Sequence, residues 1–186
     1  MPIKVITPPA ESITLEEARL QCKVDSDDTT HDALLASLIT MAREFAEHYT
    51  QRSIGSQTLE LALDEFPAGD GGIELRQGPV ASITSVSYTD TAGDPQTMDT
   101  SAYLLDNYSS PAWLLPLYGT TWPSTLDTAN AVKVRYVAGD LKQAVKNAML
   151  LHIEIECPLN PLTPAERESM ERARDSLLNT VKVWGF

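Results

Sequence analysis

Val132-Lys133-Val134-Arg135-Tyr136-Val137-Ala138-Gly139 is the stretch on which the division of this chain turns. Val132, Val134 and Tyr136 fall on one side of an extended chain, with Lys133 and Arg135 on the other. That alternation is the period-two signature of a strand with one buried face. After Gly139 the period changes. Leu141, Ala144, Val145, Ala148, Met149, Leu151, His152 and Ile155 recur at helical spacing until Pro158 stops the run. Upstream, period two reaches back to Gln57. Leu59, Leu61 and Leu63 alternate with Glu60, Ala62 and Asp64, and Ile83, Val86 and Tyr88 mark another strand. Tyr103-Leu104-Leu105 and Trp113-Leu114-Leu115 read as short strands near Pro111 and Pro116, and Asp90-Thr91-Ala92-Gly93-Asp94-Pro95 as a turn.

Before residue 57 the chain is helical again. Residues 1–13 are extended and punctuated by Thr7-Pro8-Pro9. Thr14 with Glu17 three residues later makes a capping box for a helix running to about Val24, and the acidic loop Asp25-Ser26-Asp27-Asp28 ends it. A longer helix covers about residues 31–51. Its stripe of Leu34, Leu38, Met41, Phe45 and Tyr49 is widened by Leu35, Ile39, Ala42 and Ala46, so it faces a core. Near the other end, Thr163-Pro164-Ala165-Glu166 combines N-cap, N1 proline and N3 glutamate for a last, strongly charged helix. The expected fold is α+β: a helical bundle of N- and C-terminal segments with an inserted β-rich subdomain and an extended C-terminal tail. The expected boundaries are 1–56 and 140–180 for the two helical segments, 57–139 for the β-rich insertion and 181–186 for the tail.

Composition narrows the function. The 186 residues carry 26 acidic against 14 basic side chains, a formal charge of −12, with no cluster of Lys or Arg to neutralise phosphates. That argues against nucleic-acid binding. It is compatible with lining a passage along which DNA slides without being gripped. No apolar run reaches the ~20 residues of a bilayer span. Met1-Pro2-Ile3-Lys4 lacks the features of a secretory signal, so synthesis in a cytoplasm is expected. In that reducing compartment Cys22 and Cys157, far apart in sequence, are expected as two buried free thiols rather than a disulfide.

Motifs for chemistry are not found. Gly69-Asp70-Gly71-Gly72 lacks phosphate-loop spacing. His31, His48 and His152 sit singly, and His152, on an apolar face, reads as a core histidine. Asp64, Glu65 and Asp70 flank a glycine-rich loop without calcium-loop spacing. Glu154 and Glu156 point to different helix faces. No catalytic residue, cofactor or metal is therefore expected. The end of the chain, Val181-Lys182-Val183-Trp184-Gly185-Phe186, is β-prone and carries two aromatic anchors. Such a tail either lies along a partner or neighbouring subunit, or folds back onto its own domain.

Several pieces in order carry a resemblance. They are Ile6-Thr7-Pro8-Pro9-Ala10 with Ile13-Thr14-Leu15-Glu16-Glu17-Ala18, and Leu34-Leu35-x-x-Leu38-Ile39-x-x-Ala42-Arg43-Glu44-x-x-Glu47 with Thr50-x-Arg52. Leu75-Arg76-Gln77-Gly78-Pro79-Val80 with Ile83 to Asp90, then Trp122-Pro123, then Val132-x-Val134-x-Tyr136-x-Ala138-Gly139 follow. The last is Leu177-Leu178-x-x-x-Lys182-Val183-Trp184-x-Phe186. Together they resemble the head–tail connectors (head-completion adaptors) of long-tailed bacteriophages. Departures are Gln51 for the usual Gly after Thr50, Asp140 where an aromatic often follows, Ile153-Glu154-Ile155-Glu156 for a more polar helix end, and Lys182 for an Arg.

The resemblance implies a structural virion protein at the head–tail interface, not an enzyme. It implies a homo-oligomeric ring of about 12 copies, closed by side-to-side contacts, beneath the portal protein. The ring would extend the DNA channel without specifically binding DNA, and would offer a platform to stopper or tail proteins, with no membrane involved. Val181, Lys182, Val183, Trp184 and Phe186 would then dock onto the portal or a neighbouring subunit. Two other readings stand beside it. One is another morphogenesis factor, such as a stopper or tail-completion protein. The other is a small carboxylate-dependent hydrolase, which would need a deep polar pocket.

Overall fold

The computed structural model describes residues 2–183 and divides the chain into two compact units. Among the described residues, one consists of 2–9 and 56–140, the other of 10–55 and 141–183. The protein is thus mixed α+β, with four helices and two antiparallel sheets among the described residues.

The β unit begins with β1 (Ile3–Thr7), which pairs antiparallel with β2 (Gln57–Leu63). The sequence reading groups residues 1–9 with the helical segment. Residues 2–9 lie instead in the β unit, because the backbone of β1 completes the edge of a sheet. β3 is Ile73–Leu75, β4 Val80–Thr89, β5 Pro95–Thr97, β6 Tyr103–Asp106, β7 Ala112–Pro116 and β8 Val132–Ala138. The larger sheet has the order β1-β2-β8-β4-β5 and the smaller the order β3-β7-β6. The alternation in β2 and β8 is exact to the residue: Leu59, Leu61, Leu63, Val132, Val134 and Tyr136 are all buried. They join Ile73 and Leu75 of β3 and Ala112 and Leu114 of β7, so one core serves both sheets. Two polar groups in it are satisfied locally. The Tyr136 hydroxyl donates to the Arg76 carbonyl at 2.8 Å, and Trp122 Nε1 donates to the Gly71 carbonyl at 2.7 Å while its ring stacks on Phe66.

The helical unit contains α1 (Leu15–Cys22), α2 (Asp32–Thr50), α3 (Gln143–Glu156) and α4 (Pro164–Asn179). Both expected capping boxes form, Thr14 with Glu17 and Thr163 with Glu166. α3 packs against each of the other three helices. Its Val145, Ala148, Met149 and Ile153 meet Leu35, Leu38, Ile39, Ala42 and Ala46 of α2, with Leu178 of α4, in one buried cluster.

The cysteines correct the sequence expectation. Cys22 and Cys157 are joined as a disulfide, with Cα atoms 6.1 Å apart. α1 lies along α3, so the C-terminal ends of the two helices bring together residues 135 apart in the chain.

Candidate interaction surfaces

The C-terminal segment returns to the end of α2. The last carbonyls of a helix have no partner within it and must be met from outside. The buried Thr50 is the last residue of α2, and its side chain donates to Ala46 O at 2.7 Å. Its carbonyl accepts a hydrogen bond from the Val183 N–H at 3.0 Å. One residue back, the Tyr49 hydroxyl donates to Asn179 Oδ1 at 3.1 Å, and the Lys182 ammonium lies 4.6 Å from the centre of the Tyr49 ring. Val181 packs on the helical core. The first three residues of the sequence-predicted docking segment are therefore held on their own helical unit. Trp184 and Phe186 lie outside the described residues.

The helix that carries this seat is fixed by its own charged residues. Arg43 donates to Glu11 through Nε at 3.2 Å and to Glu47 Oε2 at 3.0 Å, and Glu47 Oε1 accepts from the Ile54 N–H at 2.9 Å. Arg43 and Glu47 thus tie Glu11, ahead of α1, and Ile54, just past α2, to this helix.

Deeper in the same unit, the stacked rings of Phe45 and His152 have centroids 4.2 Å apart, and the Arg174 guanidinium lies 4.4 Å from the Phe45 centroid. Arg174 Nη1 is 3.0 Å from His152 Nδ1, so the guanidinium donates and the imidazole accepts as a neutral ring. Burial, and then the Arg174 charge, lower the His152 pKa. His152 is a core residue with a cation beside it.

The β unit presents a different surface. Directly opposed residues of antiparallel strands share a face. Leu104 of β6 pairs with Leu115 of β7, and Asp106 with Trp113. Leu104 and Trp113 are exposed on that face, opposite the buried Ala112 and Leu114. Trp113 and Leu115 close over Gly72, where a Cβ would come within 2.9 Å of both side chains, so Gly72 has no room for one. Tyr108, between β6 and β7, and Tyr118, just after β7, are fully exposed, and Leu117 is half exposed. These tyrosines stand on ordered turns. Asp106 accepts from the Tyr108 N–H at 3.0 Å and from Ser109 Oγ at 2.7 Å, and the Ser109 hydrogen bond leads in lowering its pKa. Leu117 O accepts from the Thr120 N–H at 2.9 Å, closing the turn that holds Tyr118. An apolar strip with an aromatic at each end of the hairpin suits a protein contact.

Neither tyrosine lies in a motif or on a periodic face of the sequence. The signal was there: an aromatic amid turn formers, as in Asn107-Tyr108-Ser109-Ser110 or Tyr118-Gly119-Thr120, has no strand or helix face on which to be buried. Among the described residues, no three His, Cys, Asp or Glu side chains gather in a way that could hold a metal ion. Asp64 instead accepts a hydrogen bond from the Asn130 N–H.

Residues 12–110 match the family model of the phage gp6-like head-tail connector protein. The chain belongs to this family. No curated protein matches it. Among solved structures, it is similar to a chain in the neck of an empty gene transfer agent particle computed with C6 symmetry, with a TM-score of 0.80 and 20% identity. It is also similar to a chain in the virion of a native gene transfer agent particle (0.77, 18%) and to one in the native neck computed with C12 symmetry (0.69, 20%). Each similarity covers 100% of this connector and 97% of the other chain. At these identities they establish a shared fold along the whole chain. The connector is thus a structural phage protein of a class that is not enzymatic, and its fold is that of chains built into particle necks.

Proposed function

We propose that this connector is a non-catalytic adaptor that closes side to side into a ring, a dodecamer, between the portal of the DNA-filled head and the tail. The observation that carries this reading is the end-to-end similarity to neck chains of particles analysed with C6 and C12 symmetry. Family membership supports it independently. The helical segments form the rigid body of the protomer, and the β-rich insertion carries contacts to neighbours. Heterologous contacts close into a ring only when each subunit offers two complementary patches. The strip of Leu104, Trp113, Leu117, Tyr108 and Tyr118 supplies one of them.

The tail Val181, Lys182, Val183, Trp184 and Phe186 docks onto the portal or an adjacent subunit. Because Val181, Lys182 and Val183 are occupied by α2 and the helical core, the anchoring falls to Trp184 and Phe186. The net charge of −12 fits a ring through which DNA passes without being bound. Stopper or tail proteins occupy the far side. The protein is made in the host cytoplasm and resides in the virion. The test is co-sedimentation of the purified connector with its cognate portal rings. Wild type should pellet with the portal, and Trp184→Ala/Phe186→Ala should remain in the supernatant. A wild-type connector that never pellets with its portal would overturn the reading.

A further inference from the structure

We infer that Cys22 and Cys157 form a reversible redox staple: a dithiol already placed by the fold, whose reduced and oxidised forms share one arrangement of the helices. Cys22 is the last residue of α1 and Cys157 the C-cap of α3. Their 6.1 Å Cα separation lies within the range a disulfide spans. Both are buried in the same helical core as Ala18, Met149 and Ile153. In the reduced state they pack there as two small apolar side chains, so the core does not depend on the bond.

What the bond adds is local. α1 is only eight residues long and buries just Ala18 and Cys22. Its polar ties to α3 are the Glu17–Lys146 ion pair and a partly buried hydrogen bond from Gln21 to Glu154. Such an element opens more readily than the longer helices. A covalent link at its C-terminal end removes that freedom.

The chemistry is thiol–disulfide exchange with a low-molecular-weight disulfide. One cysteine thiolate attacks a sulfur of the oxidant and expels one small thiolate. The other cysteine thiolate then attacks the mixed disulfide at the protein sulfur and expels the second. The two cysteines lose two electrons and two protons, and the oxidant is reduced to two free thiols that take up those protons. Because both sulfurs are buried, either direction requires α1 to open first. The setting rests on the virion reading above: a reducing host cytoplasm keeps the dithiol, and a released particle meets oxidising surroundings.

The test uses the isolated full-length chain, so its result is independent of ring formation and portal binding. Protein purified under reductant is split, and one half is treated with oxidised glutathione, in mild denaturant to permit opening, then returned to buffer. Both halves are alkylated with iodoacetamide in denaturant, and intact masses and melting curves are recorded. The staple predicts two adducts on the reduced half and none on the oxidised half, which stays monomeric in chain mass. It also predicts matching far-UV circular dichroism and a melting temperature higher by about 10 °C when oxidised. Cys22→Ala should take up a single glutathione and lose the redox dependence of melting. Two alkylatable thiols after oxidation, cross-linked chains, or identical melting of the two forms would each overturn the inference.

Discussion

Lys23 and Gln51 end α1 and α2 in the left-handed region, with φ of 55° and 57°. A side chain there costs about 1 kcal/mol that glycine avoids. Gln51 stands where the family resemblance leads one to expect glycine, and it recovers part of the cost by donating from Nε2 to His48 O at 2.7 Å. Lys23→Gly should therefore stabilise the helical unit by roughly 0.5–1 kcal/mol, and Gln51→Gly by less, read as shifts in chemical denaturation midpoint. His152 gives the pH dependence. Its pKa is lowered in the folded state, so the unfolded chain takes up a proton first as pH falls below about 6.5. Stability contributed by the neutral ring is complete above that value and declines as pH drops toward the folded pKa. Glu17 acts at lower pH in the same direction: its hydrogen bond to Lys146 leads in depressing its pKa, so its contribution is lost as pH falls through that depressed value. Melting should be lower at pH 5.5 than at pH 7.5, and His152→Gln should flatten that dependence. His152 was legible as a core residue from its apolar neighbours. Its partner Arg174 was not, because an arginine amid glutamates on a charged helix looks like solvated surface.

At the scale of elements, the long helices and the central strands were readable because each has one buried face. β2 and β8 alternate without exception, and both capping boxes mark their helix starts. Of the strands that escaped notice, β3 buries Ile73 and Leu75 but is three residues long, too short to show a period, and two others lack a buried face. β1 is exposed along nearly its whole length, and β5 is three exposed residues beginning with Pro95, the last residue of the stretch read as turn. The Cys22–Cys157 pairing was illegible because sequence separation does not report the approach of two helix ends. For the C-terminal segment, two variants separate seat from anchor. Trp184→Ala/Phe186→Ala should leave the melting transition nearly unchanged while weakening portal binding by ~2 kcal/mol or more per buried anchor. Unfolding of this double variant would instead assign the aromatics to the protomer's own core. Tyr49→Ala removes the ring under Lys182 and the bond to Asn179, and should lower helical-unit stability by about 1 kcal/mol, measured by denaturant titration. On the β6–β7 hairpin, Tyr108→Ser/Tyr118→Ser changes only fully exposed side chains. It should preserve the fold and impair self-assembly, as seen in sedimentation profiles.

The molecule has two cores, one in each unit. The helical unit combines capping boxes on α1 and α4, ion pairs and a disulfide between α1 and α3, while the β unit carries exposed Leu104 and Trp113 on strands and Tyr108 and Tyr118 on ordered turns. The acidic surface charge opposes close approach of copies at low ionic strength, so ring closure should strengthen as salt screens repulsion. Native mass spectrometry of the full-length connector, across concentration and ionic strength and with added portal, tests the ring most directly. The ring account predicts one closed species of 12 subunits, alone at high concentration or on the portal. Monomers or dimers throughout, including in the presence of portal, would contradict it.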